Sequence, residues 1–309
     1  MRMLIALGFL LTVVSCCPAL EEGDIAARIF RIPNLYSNNP ELVKLGNNEA
    51  LVNALTKHWD EAPAEIRPQI LEIMVDLAGA NAPAQQWYYQ VEDNRVVKSL
   101  VAALDSTVPE VRVKAAQLLE TRIAKDAIEP FDAGIVTLIS KHVNVNAILL
   151  LGRIGNAEAK ALLRTDKRYM DFSAESVRAA LAKTGDKIEE TYFIKKFQTA
   201  KDAQEKRRCA DLLGYIATES AAKALAKELR TSETVQDVGV YSLRVFIIDA
   251  LSKAFPKEPV LWRPAKKPKD DSYYEKIEAW ASEKLKVTWS KPRPPFFYLM
   301  PTPGKPPAS

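Results

Sequence analysis

The chain has 309 residues, of which 48% are hydrophobic and 27% are charged, and its formal net charge is +4. This composition is typical of a soluble protein with a sizeable core, and only 11 glycines suit a helical one. Residues 257–309 hold 11 Lys and Arg against 6 Asp and Glu, so the rest of the chain is nearly neutral. Composition therefore shows no basic stripe on the body, which argues against a nucleic-acid partner.

Residues 1–16 have the pattern of an export signal. Arg2 precedes an apolar run at 3–14, which is too short to span a bilayer and suits the apolar region of a secretory signal. The run ends in VVSC, with Cys16 last, and this resembles the bacterial lipobox. The resemblance implies that Cys16 receives lipid and becomes the new N-terminus, anchoring an exported protein that faces the periplasm. Ordinary cleavage nearby would instead leave a soluble secreted protein.

Residues 17–47 form an approach to the main domain. A weak apolar face over 24–32 predicts a helix that caps the first repeat, because the open core edge of a repeat array must be covered. Pro40 suits the first turn of a short helix. A first helix pair is predicted over 49–58 and 66–78, with Pro68 at the start of its second helix.

An insertion over residues 79–94 separates this pair from the next. Trp87, Tyr88 and Tyr89 are consecutive there, so they cannot all face one core. Aromatic side chains on a loop are typical of recognition surfaces, and we expect this loop to border a binding groove. The alternative is that Trp87 or Tyr88 folds back between unequal repeats.

Residues 107–131, TVPEVRVKAAQLLETRIAKDAIEPF, recur as imperfect copies that begin near 143, 175, 205 and 241. Aligned on the residue after the apolar pair, Glu120, Gly152, Gly185 and Gly214 give spacings of 32, 33 and 29 residues. A period near thirty that contains two helices predicts an α-solenoid.

One copy shows the packing surface of the unit. Cys209, Leu212, Leu213 and Ile216 recur at helical spacing and form one apolar stripe, which must pack on neighbouring units. We therefore predict that Cys209 is a small buried hydrophobic residue and not a nucleophile. Since it is the one cysteine after residue 17, the body has no intrachain disulfide.

The repeats resemble the HEAT-like family, in the short version related to phycobiliprotein-lyase repeats. The likeness covers residues 48–256 and rests on Val-Arg or Leu-Arg before an Ala-rich helix and on Leu-Gly near its end. It implies an all-α solenoid of about five helix pairs that binds a protein partner along its concave surface. The second helix of each pair would line that surface and carry the candidate partner-binding residues Arg112, Arg178, Arg207 and Arg244. The alternative for these arginines is a ladder of pairs with acidic residues of adjacent repeats.

A search for chemistry finds no catalytic, cofactor, small-molecule or metal motif. His58 and His142 lack metal-binding spacing, and the sequence has no Gly-rich phosphate loop. The sequence therefore predicts a non-catalytic interaction module of the cell envelope. The rival is a lyase-type HEAT-like enzyme, for which a pocket that collects His142 or Cys209 would be the supporting feature.

Residues 257–289 form a basic segment in which Asp271 caps a helix that runs to Leu285 and covers the end of the repeats. The tail at 290–309 holds 7 of the 19 prolines, which predicts an extended, disordered chain. Phe296, Phe297 and Tyr298 are candidate partner-binding residues in this tail, and a disordered end without a partner is the alternative.

Overall fold

The computed structural model describes residues 20–33, 35–80, 90–236, 240–262, 270–290 and 292. The α-helices in these ranges are α1 (Glu22–Ile29), α2 (Pro40–Leu45), α3 (Asn48–His58), α4 (Arg67–Ala78), α5 (Asn94–Ala103), α6 (Pro109–Thr121), α7 (Lys125–Ile128), α8 (Asp132–Ile139), α9 (Val145–Ile154), α10 (Ala157–Thr165), α11 (Lys167–Lys183), α12 (Lys187–Thr199), α13 (Ala203–Ile216), α14 (Glu219–Lys227), α15 (Leu243–Ala254) and α16 (Ser272–Leu285). Short 3-10 turns lie at Trp59–Glu61, Glu129–Phe131, Glu228–Arg230 and Pro259–Leu261.

The helices stack as pairs. Helices α4, α6, α9, α11, α13 and α15 pack on one another in chain order, and each also packs on a partner that precedes it. The prediction of an all-α solenoid is confirmed. The described part of the chain contains six such second helices.

Asn, Asp and Thr side chains set the helix starts. Asn144 accepts a hydrogen bond from the backbone N–H of Ala147 at 2.9 Å, and Asp202 accepts one from that of Glu205 at 2.8 Å. Each satisfies a backbone donor that the first turn of a helix leaves without a partner. Because such caps recur in successive units, the sequence marks where the helices of each unit begin.

Two glycines allow neighbouring second helices to approach closely. A Cβ on Gly152 would lie 2.6 Å from the Cα atom of Ala180, and one on Gly214 would lie 2.7 Å from the carbonyl oxygen of Ala250. Gly152 therefore lies where the backbones of α9 and α11 meet, and Gly214 lies where those of α13 and α15 meet.

The alignment of Gly185 with Gly152 and Gly214 was wrong. Gly185 lies after the end of α11 with a φ of 97°, in the left-handed region that favours glycine. Its counterpart is Gly155, which ends α9 with a φ of 65°. Ala182 is thus the residue of α11 that corresponds to Gly152, and a buried alanine replaces glycine there.

Short helices cover both ends of the stack. Ile25 and Ile29 of α1 are buried, and α1 packs on α3. At the other end α16 packs on α14 and buries Tyr274 and Ile277. Asp271 precedes α16 as predicted, but its side chain makes no capping hydrogen bond.

A two-stranded hairpin was not predicted. β1 (Thr234–Gln236) pairs antiparallel with β2 (Val240–Ser242) between α14 and α15. A second small connection joins Val91 to Ile123 as a parallel bridge. It ties the end of the 79–94 insertion to the carboxyl end of α6.

The apolar interior is continuous along the stack. One group of buried residues runs from α1 to α11 and the next runs from α11 to Val287, so α11 belongs to both. Cys209 lies in the second group with 2% of its surface exposed. This confirms the burial predicted from its place on the apolar stripe of α13.

Candidate functional site: a groove at the helix ends

A recess of about 730 Å³ follows the carboxyl ends of α6, α9, α11, α13 and α15, and we call it the groove. Each of these helices contributes its last turn or the residues just after it. The groove is therefore built by the second helices of successive pairs.

Equivalent positions supply its polar side chains. Arg153 and Lys183 each lie two residues before a left-handed glycine, and Tyr215 lies two residues before Ala217, which has a φ of 57°. Lys253 lies two residues before Phe255, which caps α15. A single position of the repeat thus places one polar side chain per unit along the groove.

Tyr215 crosses the floor of the groove. Its hydroxyl donates a hydrogen bond to the carbonyl oxygen of Leu149 at 2.6 Å and lies where a side chain on Gly152 would project. Burial raises the pKa of the Tyr215 phenol well above its usual value. This tyrosine therefore stays neutral and ties α13 to α9 across α11.

Arg153 closes the carboxyl end of α6. Its guanidinium donates to the carbonyl oxygen of Leu119 at 3.0 Å, and also to those of Glu120 and Ile123. These are acceptors at and just beyond a helix end, where a cation also meets the negative end of the helix dipole. Burial lowers the pKa of Arg153. Three of its hydrogen bonds go to carbonyl groups of the protein itself.

Burial shifts the pKa values of two charged side chains of the groove, Glu120 and Lys183. Burial raises the pKa of the Glu120 carboxyl, and the positive charges of Arg153, Lys253 and Lys183 partly oppose that shift. Burial and the nearby Arg153 lower the pKa of the Lys183 ammonium to about 8. The ammonium nitrogen lies 5.7 Å from the centroid of the Tyr215 ring.

The groove also contains an ion pair. Lys253 Nζ lies 3.1 Å from an Asp211 carboxylate oxygen. By contrast, among the residues that the structure describes, Lys183 has no carboxylate within 4.0 Å. Lys125 also lines the groove without a carboxylate in ion-pair contact among the described residues, but it is exposed, whereas Lys183 is partly buried in the recess.

The four predicted arginines do not line the groove. Arg112 donates to the carbonyl oxygen of Ser106 at 2.7 Å. Arg178 pairs with Glu189 at 2.5 Å and stacks on the ring of Tyr192.

The other two arginines contact aromatic rings. The Arg207 guanidinium carbon lies 4.3 Å from the centroid of Phe246. Arg244 is 1% exposed and lies equally close to the ring of Tyr274.

Arg112, Arg207 and Arg244 lie in the first half of their helices, whereas the groove follows the helix ends. Arg178 lies in the second half of α11, after a kink at Ser173. The second helices therefore line the groove with different residues from those proposed.

A ladder of ion pairs between units exists on other residues. Lys114 pairs with Glu72 at 3.1 Å, and Lys141 with Asp105 at 3.0 Å. Partly exposed pairs of this kind contribute at most about 1 kcal/mol each. They align neighbouring units more than they stabilise them.

Several candidate residues lie outside the described residues: Cys16, Trp87, Tyr88, Tyr89, Phe296, Phe297 and Tyr298. Gln90, the first described residue after the three aromatics, lines the groove. One described residue of the insertion therefore borders the groove.

The two residues on which the enzyme interpretation depended lie elsewhere. Neither His142 nor Cys209 lines the groove. Burial, together with Arg112 and Lys141, lowers the pKa of His142, and burial raises the pKa of the Cys209 thiol. Both shifts keep these side chains neutral, and neither activates a nucleophile.

A scan against family models and a search of the curated proteins found no match to the chain. In the described ranges, no cluster of His, Cys, Asp and Glu could hold a metal ion. Among the helices of those ranges, none is long and apolar enough to cross a membrane.

Proposed function

We propose that this chain is a non-catalytic interaction module of a bacterial cell envelope. It is exported, anchored by lipid on Cys16, and built from HEAT-like repeats, and it holds a protein partner in the groove. The anchor and the family assignment rest on the sequence patterns described above. The binding surface rests on the structure.

The groove's repeating side-chain row is the observation that carries the proposal. Arg153, Lys183, Tyr215 and Lys253 come from four successive second helices and face one recess. A row of this kind extends along the stack, which is how solenoids present binding surfaces. A recess that mixes fixed polar groups with apolar walls also provides the oriented contacts that specific binding needs.

Site-specific photo-cross-linking in the native envelope tests the proposal. A photoreactive residue at Thr184, which lines the groove, should capture a defined partner protein. The same residue at Lys195, exposed on α12 and outside the groove, is the matched control and should not capture it. Equal capture from both positions would mean that the groove is not the binding surface.

One observation favours an enzyme as the second candidate. Glu120 and Lys183 have shifted pKa values in a common recess, which is typical of catalytic sites. Purified protein incubated with a small-molecule extract of envelopes would then consume a compound, and Lys183→Met would abolish the consumption. Turnover of this kind would replace the interaction proposal.

The anchor gives a separate prediction. Cys16→Ser should move the protein from the membrane fraction to the soluble fraction, because the thiol that would carry the lipid is lost. Cys17→Ser is the control and should leave the protein with the membranes. Fractionation followed by immunoblotting measures both. A wild-type protein that is already soluble supports the secreted alternative.

A further inference from the structure

The groove has an excess of positive charge. Four of its lining side chains are basic and two are acidic: Lys125, Arg153, Lys183, Lys253, Glu120 and Asp211. Lys253 and Asp211 form an ion pair, and three hydrogen bonds of the Arg153 guanidinium go to carbonyl oxygens at and just beyond the end of α6. Glu120 alone is then left to balance the remaining cations. The surplus charge favours an anionic ligand.

Lys183 is placed to receive that ligand. Its ammonium has three hydrogen-bond donors, and the described residues offer it an aromatic face at 5.7 Å and no carboxylate in ion-pair contact. Thr121, Thr184 and Thr218 also line the recess, but their hydroxyls already donate to oxygen atoms of the protein itself. The donors offered to a ligand are therefore those of the Lys183 ammonium. A carboxylate entering here can accept hydrogen bonds from that ammonium and neutralise a partly buried cation.

Charge also favours one of three possible sources of the anion, which are a lipid surface, the chain's own tail and an acidic protein segment. The body before residue 257 is nearly neutral, so it lacks the field that draws a protein face onto an anionic lipid surface. The chain's own tail is unsuitable, since residues 290–309 carry Lys291, Arg293 and Lys305 and no acidic side chain. An acidic protein segment complements the groove in both charge and shape.

We infer that the groove receives an acidic segment of the protein partner and that one carboxylate of this segment lies against Lys183. The inference rests on the proposed function and specifies its ligand. About 730 Å³ is within the range of pockets that enclose a peptide side chain with its neighbours.

The pH dependence of binding follows from the surroundings of Lys183. The groups that act on it are Glu120 from α6, Lys125 from α7, Arg153 from α9 and Tyr215 from α13. With a pKa of about 8, free Lys183 loses its charge as the pH rises through that value. A bound carboxylate favours the ammonium, so its pKa rises on binding. Binding should therefore take up protons near pH 8 and weaken above it.

The experiment uses the full chain in detergent and two probes, a short fluorescent oligoglutamate and the matching oligoglutamine. Oligoglutamate should bind and oligoglutamine should not. Lys183→Met should weaken oligoglutamate binding by about tenfold or more, because a partly buried charge pair is lost. Lys98→Met, on the exposed face of α5, should have no effect. Calorimetry in two buffers of different ionisation enthalpy measures the proton uptake.

Lys183→Arg separates charge from simple packing. The arginine keeps its charge above pH 8, so this variant should retain binding at pH 7 and lose the weakening between about pH 7 and 9. Lys183→Met should still fold. Because burial lowers the pKa of Lys183, its positive charge destabilises the folded state below that pKa, and the methionine removes this destabilising charge. Thermal melts of each variant check this.

Three results would overturn the inference. These are failure of oligoglutamate to bind, equal binding by Lys183→Met, and tighter Lys183-dependent binding to inorganic phosphate or to phosphatidylglycerol vesicles. If the partner is still captured from Thr184, the proposed function stands and only the acidic ligand is wrong. If capture from Thr184 also fails, both are wrong.

Discussion

Cys209→Asp is expected to lower the free energy of unfolding by about 3 to 5 kcal/mol, because it places a charge in the packed interior of α13, where the cost of burial exceeds the effect of the nearby Lys196. Cys209 is 2% exposed and belongs to the buried group that joins α11 to α15. Its neighbours on the stripe, Leu213 and Ile216, are also buried and offer the carboxylate no hydrogen-bond donor. Urea denaturation followed by circular dichroism measures the change.

The acid form of the new side chain provides an internal check. Burial raises the pKa of an aspartate, so the folded state holds the proton more tightly than the unfolded state. The destabilisation should be smallest below about pH 4 and grow as the pH rises through the folded-state pKa. Cys209→Ala is the matched control and should cost much less. Rapid alkylation of native Cys209 would contradict its burial.

Gly214→Ala is the second substitution that we expect to lower the free energy of unfolding substantially. The new Cβ would lie 2.7 Å from the carbonyl oxygen and 2.8 Å from the Cα atom of Ala250. Both are backbone atoms, so α13 and α15 must move apart, and overpacking of this kind costs about 1 to 3 kcal/mol. Thermal or urea unfolding measures the loss.

Gly134→Ala is the control with the opposite sign. Gly134 lies inside α8, and a Cβ there would meet no atom within 4 Å. Alanine in a helix interior is favoured over glycine by about 0.5 to 1 kcal/mol, so this variant should be slightly more stable. If Gly214→Ala were as stable as Gly134→Ala, the close approach of α13 and α15 would be wrong.

Much of the fold could be predicted because the unit is local. Helical spacing identified Cys209, Leu213 and Ile216 as one stripe, and all three are buried. Leu212, assigned to the same stripe, is half-buried: it packs against the same apolar group and also lines the groove. A helix that contacts neighbours on several sides has a wider interface than one stripe, and the residues at its edges are the hardest to assign.

The register between units was less predictable. Gly185 and Gly152 were aligned by their spacing along the sequence, yet the first follows the end of a helix and the second lies inside one. Sequence spacing alone does not tell a close-approach glycine from a left-handed one. The caps do, since aligning the left-handed residues Gly155, Gly185 and Ala217 gives the register that the structure has.

The candidate site was missed because its residues become neighbours only after stacking. Tyr215 contacts Leu149 across 66 positions of sequence, and no local pattern records that contact. Three of the four arginines were chosen from Val-Arg or Leu-Arg pairs, and none of the four lines the groove. The usable signal was the polar residue two positions before each left-handed residue, occupied by Arg153, Lys183 and Tyr215.

Hydrogen exchange with and without the captured partner tests the central claim most directly. In the full chain, backbone amides at the carboxyl ends of α9, α11 and α13 should exchange more slowly when the partner is bound. The exposed turns of α12, which lie outside the groove, should be unchanged. Protection of α12 with no change at those three helix ends would contradict the account, because the partner would then be bound on another face of the stack.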